Sequence, residues 1–193
     1  MSLPRRQWLA WLALLAFLFL QPAGARATTF ARLAFGDLAR KARAVARMRC
    51  ISSESLWEGG EIWTDTQFEV LEAEKGDVPR RVTVRVPGGR VAGIVSRVDG
   101  APQFRPGEEV YLFLWEPAGG AFRVLGWAQG TLRITVDSVT RQERVTQDSS
   151  ATPVFDPRRG AFRSEGIRNL PVPEFLARLR AELAKTPRNG NEE

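Results

Sequence analysis

The chain has 193 residues, a formal net charge of +6, one cysteine and no histidine. The lack of histidine excludes a Ser-His-Asp triad, a Cys-His pair and a His-ligated zinc site. The single cysteine, Cys50, excludes an intrachain disulfide and a multi-cysteine metal cluster. The length suits one domain that buries a hydrophobic core of its own.

The first 27 residues have the pattern of a secretory signal peptide. Arg5 and Arg6 precede 13 apolar residues, 8–20, and the small-x-small sequence Ala25-Arg26-Ala27 supplies a cleavage site. A helix of that length reaches about 20 Å, short of the roughly 30 Å hydrocarbon core, so cleavage near Ala27 is predicted. We expect a secreted or periplasmic protein that meets the membrane only through an uncleaved signal segment. The strongly apolar run favours the general secretory route. The twin-arginine route is the alternative, because Arg5-Arg6 also resembles a twin-arginine signal.

Charge is distributed unevenly along the chain. Cleavage would lower the net charge from +6 to +3, because it removes three arginines and no acidic residue. Residues 28–50 carry a net charge of +5, and residues 51–74 carry −7. The acidic segment would repel a phosphate backbone, so nucleic-acid binding is not expected. We expect these two segments to neutralise each other in the fold.

In chain order, residues 28–44 predict a short amphipathic helix, because apolar residues recur near helical spacing. Strand patterns follow at residues 45–57 and 61–74, and the paired glycines between them predict a hairpin turn. The second of these strands alternates clearly. One face carries Ile62, Thr64, Thr66, Phe68 and Val70, and the other carries Glu61, Trp63, Asp65, Gln67 and Glu69.

Later strands are predicted at residues 81–86, 109–115, 121–128 and 131–139, with an exposed edge strand at 141–147. Apolar residues on both faces of 109–115 indicate a central strand. In the connection 90–106, Val91, Ile94, Val95 and Val98 indicate that part of this segment packs against the body of the domain. Residues 148–170 predict a surface excursion with little regular structure, and 172–185 a helix with one apolar stripe.

This order of elements predicts a mainly β (α+β) fold. The expected architecture is a small OB-like, closed or partly closed antiparallel barrel with a short N-terminal helix and a C-terminal helix. A β-sandwich is the alternative. We expect a signal peptide at 1–27, the barrel domain at 28–147, and a surface excursion with the C-terminal helix packed on the barrel at 148–193.

Residues suited to catalysis are scarce. Cys50 has no histidine base and is expected to be a small buried residue. Glu61, Asp65 and Glu69 share a strand face that suits either solvent or a hard cation such as calcium. The sequence Pro87-Gly88-Gly89-Arg90 suits either a turn or a backbone anion site. We predict no catalytic residue, no metal site and no cofactor, and expect a non-catalytic protein.

Binding is the role that these exclusions leave. Trp57 and Trp63 flank the first hairpin turn, and exposed tryptophans on strands can stack a ligand, with core packing as the alternative. Trp115 and Trp127 lie on later predicted strands. The candidate ligand- or partner-binding residues are Trp57, Trp63, Asp65, Glu69 and Arg90.

Three stretches resemble a family of uncharacterised secreted bacterial β-barrel proteins. They are residues 57–64 (WEGGEIWT) with 68–70 (FEV) and 75–77 (KGD), residues 87–89 (PGG), and residues 107–114 (GEEVYLFL) with 126–130 (GWAQG). The resemblance covers roughly residues 38–136. It implies a secreted protease as partner, because members of this family are often found beside secreted metalloproteases of the matrixin type.

The strand pattern is also similar, at the level of fold, to the OB barrel of the tissue inhibitors of metalloproteinases and netrin-like domains. Those inhibitors place a disulfide-bonded N-terminal cysteine on the catalytic zinc. Cys50 is the only cysteine here, so no inhibitory residue carries over. The leading hypothesis is an exported, non-catalytic protein that binds a protein partner. The alternative is a carbohydrate or anionic-ligand module that uses strand tryptophans and arginines.

Overall fold

The computed structural model describes residues 32–117, 120–151, 154–156, 159–163 and 166–185. The predicted signal peptide and residues 28–31 of the predicted first helix lie outside the described residues. Across the ranges described, no helix is long and apolar enough to cross a membrane. Within these ranges the fold is mainly β with two α-helices, as the sequence predicts.

The helices are α1 (Phe35–Lys41) and α2 (Val172–Ala184). The strands within the described ranges are β1 (Ala44–Glu58), β2 (Glu61–Lys75), β3 (Arg81–Pro87), β4 (Gly89–Val91), β5 (Ile94–Ser96), β6 (Glu109–Trp115), β7 (Arg123–Val124), β8 (Thr131–Val136), β9 (Glu143–Gln147), β10 (Val154–Asp156), β11 (Ala161–Arg163) and β12 (Leu170–Pro171). Two 3₁₀ helices span Trp127–Gly130 and Asp148–Ser150.

Eight strands form one antiparallel sheet. Its order is β12-β9-β8-β6-β1-β2-β3, and β7 also pairs with β6. β4 with β5, and β10 with β11, form separate two-stranded pairs. At the β3 end, Val84 forms a parallel bridge with Phe122, the residue before β7. The Arg85 amide donates to the Phe122 carbonyl (2.9 Å), and the Phe122 amide donates to the Thr83 carbonyl (3.1 Å).

The central strand β6 has a hydrophobic cluster on each face, as its apolar sequence predicts. The inner core comprises Ala44, Ala46, Met48, Cys50, Phe68, Val82, Val84, Val86, Phe104, Val110, Leu112, Leu114, Phe122 and Val124. The outer core comprises Leu38, Ala39, Ala42, Val45, Tyr111, Phe113, Leu132, Val145, Ile167, Val172, Phe175 and Leu179. The apolar stripe of α2 therefore packs on the outer face, where the Phe175 and Tyr111 rings lie 4.9 Å apart.

The first helix is shorter than predicted. Ala34 is extended and Ala42 leaves the helix with ψ of 131°. The Lys75 side chain ends the helix, because its Nζ donates to the carbonyls of Ala39 (2.8 Å), Arg40 (2.8 Å) and Ala42 (2.6 Å). A lysine from the end of β2 thus satisfies carbonyls that a helix C-terminus leaves unpaired.

Two predicted strands are wrong in extent or position. The strand predicted at 121–128 is reduced to β7, because Gly126 adopts φ of 65° and turns the chain into a 3₁₀ helix. The predicted exposed edge strand is instead β9, which lies inside the sheet with Val145 fully buried. β12 pairs with it, and the Gln147 amide donates to the Ile167 carbonyl at 2.8 Å.

Part of the connection 90–106 packs against the core as predicted, but not through all of the residues expected to do so. Ile94 and Val95 are 56% and 45% exposed on the hairpin formed by β4 and β5. Phe104 provides the inward packing instead, with its ring 5.0 Å from that of Phe68. The segment 148–170 contains β10 and β11 and buries Ser149, so it is more ordered than a simple surface excursion.

The basic and acidic segments pair only in part. Arg49 lies 3.9 Å from Glu69, which joins the two segments. Arg47 pairs instead with Glu143 (2.7 Å) and Glu109 (2.5 Å), both from later strands. The hydrogen bonds that the Arg47 guanidinium donates to Glu143 and Glu109 raise the pKa of Arg47 above its ordinary value.

Candidate functional site

The hairpin formed by β1 and β2 extends beyond the sheet. β1 pairs with β6 only from Ala44 to Arg49, whereas it pairs with β2 along its length. The β1–β2 register shifts between Cys50 and Ser52. From Ser52 to Glu58, β2 is therefore the one strand partner of β1 within the described residues.

The small β4–β5 hairpin crosses the inner face of this extension. Gly89 has φ of 138°, and a Cβ there would overlap the hydroxyl oxygens of Ser55 and Thr64. A glycine is required because the two backbones approach closely and the conformation is left-handed. The Pro87-Gly88-Gly89 turn thus lets the backbone of β4 cross close to β1 and β2.

A chain of hydrogen bonds fixes this crossing. The Arg90 amide donates to Ser55 Oγ (3.2 Å), and the Ser55 and Thr64 hydroxyls lie 2.9 Å apart. Thr64 Oγ1 donates to the Gly88 carbonyl at 2.6 Å. The Gly88 amide is also engaged, with the Ile62 carbonyl at 2.8 Å. Two of the amides that the anion-site interpretation needs are therefore already bonded within the protein.

Two adjoining hollows lie beside the β4–β5 hairpin, and they share Pro87, Gly88, Ser96 and Val98. The tryptophan groove has a volume of about 440 Å³ and is lined by Trp57, Gly60, Glu61, Ile62, Trp63, Pro87, Gly88, Ile94, Ser96, Val98 and Trp127. The basic cleft has a volume of about 270 Å³ and is lined by Ser55, Thr64, Thr66, Val86, Pro87, Gly88, Gly89, Arg90, Val95, Ser96, Arg97, Val98, Ala101, Pro102, Gln103 and Phe104.

The tryptophan groove exposes large apolar side chains from two hairpins. Trp57 is 54% exposed and Ile94 is 56% exposed. Among the described residues that line it, Glu61 and Ser96 supply the polar side chains other than the indole N–H groups. Such a surface fits an apolar ligand with a small number of polar contacts.

The basic cleft carries Arg90 and Arg97 and no carboxylate among its described lining residues. Within the part of the chain that the structure describes, neither guanidinium forms an ion pair. Other arginines nearby are neutralised, since Arg133 donates to Asp148 (2.8 Å) and pairs with Glu108. The cleft therefore keeps positive charge that an anionic group can approach.

Comparisons of the chain with models of protein families, with curated proteins and with solved structures found no match. The resemblance to secreted barrel proteins and to the netrin-like fold stays a prediction. The geometry of the site is therefore the basis for the functional assignment.

The five predicted binding residues fall on different surfaces. Trp57 lines the tryptophan groove, Arg90 lines the basic cleft, and Trp63 contributes to the groove wall. Cross-strand pairing with Ile62 puts Trp57 on the inner face of the hairpin, while Trp63, Asp65 and Glu69 alternate onto the other face.

The outer-face residues are held by arginines. Asp65 accepts two hydrogen bonds from Arg85, at 2.5 and 2.6 Å. Glu69 lies 3.5 Å from Arg80, and the Arg123 guanidinium sits 4.9 Å from the ring centroid of Trp63. Burial lowers the pKa of Arg123. Asp65 and Glu69 thus belong to ion pairs across strands, apart from both hollows.

Two site residues, Ile94 and Arg97, were missed by sequence reasoning. Ile94 was expected to pack against the domain, and Arg97 belonged to no recognised motif. A usable signal was the spacing of Gly88, Gly89 and Gly93, which brackets a short hairpin whose tip is exposed.

Cys50, the single thiol, lies outside both hollows. Cys50 is 2% exposed, as predicted, and burial raises the pKa of its thiol. Its sulfur lies 3.9 Å from the Ser53 hydroxyl. In the described ranges, no group of three or more Cys, Asp and Glu side chains is arranged to hold a metal ion.

Proposed function

We propose that this protein is a non-catalytic binding protein whose tryptophan groove receives an apolar segment of a protein partner. The observation that carries the proposal is the pair of exposed side chains, Trp57 and Ile94, that line one mainly apolar groove. Tryptophan is enriched among the residues that dominate binding energy at protein interfaces. Covering the exposed half of Trp57 contributes about 2 kcal/mol at ordinary transfer values.

A carbohydrate or anionic ligand is the second candidate. Arg90 and Arg97 favour an anionic group, and a tryptophan face can stack on a sugar ring. A sugar also needs several polar partners, however, and Glu61 and Ser96 are few for that purpose. The groove therefore favours a protein segment over a glycan.

Export and the identity of the partner rest on the sequence. The signal-peptide pattern of residues 1–27 supports a secreted or periplasmic binding protein. The resemblance to secreted barrel proteins supports a secreted protease as the partner. The absence of histidine from the chain and the buried Cys50 support a non-catalytic role.

We also propose that the sheet closes as a five-stranded OB-like barrel. The supporting contacts run in a ring, because β1 pairs with β2 and β6, β2 with β3, and β6 with β7. The bonds between Arg85 and Phe122 and between Phe122 and Thr83 join β3 to the residue before β7. In a closed barrel, the amides of Arg85 and Phe122 exchange hydrogen as slowly as core amides, and fast exchange at both would contradict closure.

The binding proposal is tested with a displayed library of random linear peptides. We expect enrichment of clones that contain large apolar residues on the native protein, and loss of that enrichment on the Trp57→Ser and Ile94→Ser variants. Trp115→Ser is the matched control, since Trp115 is 42% exposed but lines neither hollow. Equal enrichment on all four proteins, or binding only to a glycan panel, would overturn the proposal.

A further inference from the structure

Along the hairpin extension, the edge of β1 that faces away from β2 has no strand partner among the described residues. β6 begins opposite Arg49, and the last backbone hydrogen bonds between β1 and the chain before β6 are at Cys50. The Cys50 amide donates to the Glu108 carbonyl (2.9 Å), and the Gly107 amide donates to the Cys50 carbonyl (2.8 Å). Beyond Cys50, the Ser53 hydroxyl donates to the Phe104 carbonyl at 3.4 Å. From Ser52 to Glu58, no described backbone segment pairs with the side of β1 that faces away from β2. An unpaired edge of this kind is a template for strand addition.

This open edge runs beside both hollows. Ser55 lines the basic cleft and Trp57 lines the tryptophan groove. Both belong to the inner face, since their cross-strand partners, Thr64 and Ile62, share that face. A strand added to β1 points alternate side chains to the same face, so residues opposite Ser55 and Trp57 would face the cleft and the groove.

The charged residues on the two faces of the hairpin determine which side chains an added strand can place there. On the inner face, Arg90 and Arg97 are without a carboxylate partner in the described chain. On the outer face, Glu54 lies opposite Asp65, and Glu58 pairs with Arg85. An acidic side chain is therefore complementary on the cleft side and unfavourable on the outer side.

We propose that an extended segment of a partner protein adds as a strand to β1 between Ser52 and Glu58. An acidic side chain lies over the basic cleft, and an apolar side chain two residues away enters the tryptophan groove. This inference rests on the proposed binding function and names its partner as an acidic–apolar strand. Backbone hydrogen bonds supply affinity, and the two hollows supply specificity.

The test uses peptides enriched from the random linear library. We expect an Asp or Glu two residues from a large apolar residue, and a synthetic copy of the enriched peptide that slows amide hydrogen exchange within residues 52–58. The double variant Arg90→Glu and Arg97→Glu should bind this peptide at least about tenfold more weakly. The double variant Arg81→Glu and Arg141→Glu is the control, since it makes the same charge change at exposed sites outside both hollows.

The possible outcomes separate the two proposals. Enriched peptides without an acidic residue, or without slowed exchange at 52–58, would overturn strand addition and leave groove binding intact. A library that yields no enriched peptide on the native protein would overturn groove binding, and strand addition with it. Equal weakening by both double variants would show that net charge, and not the cleft, attracts the peptide.

Discussion

The two halves of β1 lie in opposite environments. From Ala44 to Cys50 the strand has partners on both sides, and its apolar side chains are buried. From Ile51 to Glu58, β2 is its one pairing partner among the described strands, and no side chain is buried. One strand therefore supplies core with its first half and open surface with its second. Substitutions along a single strand can consequently separate stability from binding.

The largest expected effect tests the buried half. Met48 is fully buried in the inner core, whereas Ile51 is 42% exposed three residues later. We expect Met48→Ala to lower the free energy of unfolding by about 2–5 kcal/mol, because it removes packed methylene groups and leaves a cavity. Ile51→Ala should change it by about 0.5 kcal/mol or less. Urea denaturation measures both, and similar losses would erase the distinction between the halves.

The second prediction tests desolvation beside the buried half. Tyr111 pairs with Arg47 across β1 and β6, and burial raises the pKa of its phenol to about 12 from an ordinary 10. The unfolded chain therefore loses this proton first, so the free energy of unfolding falls as pH rises from 10 to 12. A two-unit shift corresponds to a loss of about 2–3 kcal/mol.

Tyr111 is the only tyrosine in the chain, so its phenolate absorbance reports this residue alone. The Tyr111 hydroxyl has no hydrogen-bond partner among the described residues. Tyr111→Phe should thus keep its stability at neutral pH and lose less of it between pH 10 and 12. Phenolate absorbance that appears in the folded protein near pH 10 would contradict burial of this ring.

The contrast between the two halves of β1 also separates features that the sequence could predict from features that it could not. β1, β2 and β6 follow from local alternation and turn glycines, and their predicted positions agree with the structure within two residues. The exposure of Ile94 could not be predicted, because it depends on how β4 crosses β1 and β2. The partners of Asp65 and Glu69 were hidden for the same reason, since Arg85 and Arg49 come from neighbouring strands.

The position of the core could also be predicted from the sequence, because it depends on a local pattern. Apolar residues on both faces of residues 109–115 require cover on both sides, whatever the connections are. Which strand becomes an edge is a non-local property, however. Residues 141–147 look exposed in sequence, and β12 with Ile167 covers them only after the chain returns.

The smallest expected effect tests the crossing that shapes the open half. Gly89 and Gly93 both have positive φ, 138° and 84°, but a Cβ at Gly93 meets nothing within 4 Å. At Gly89 the Cβ would displace the Ser55 and Thr64 hydroxyls and break their hydrogen-bond chain. We expect Gly89→Ala to cost about 1–2 kcal/mol more of unfolding free energy than Gly93→Ala. Equal stability of the two variants would contradict the close contact between β4 and β1. It would also contradict the shapes of both hollows, which depend on that contact.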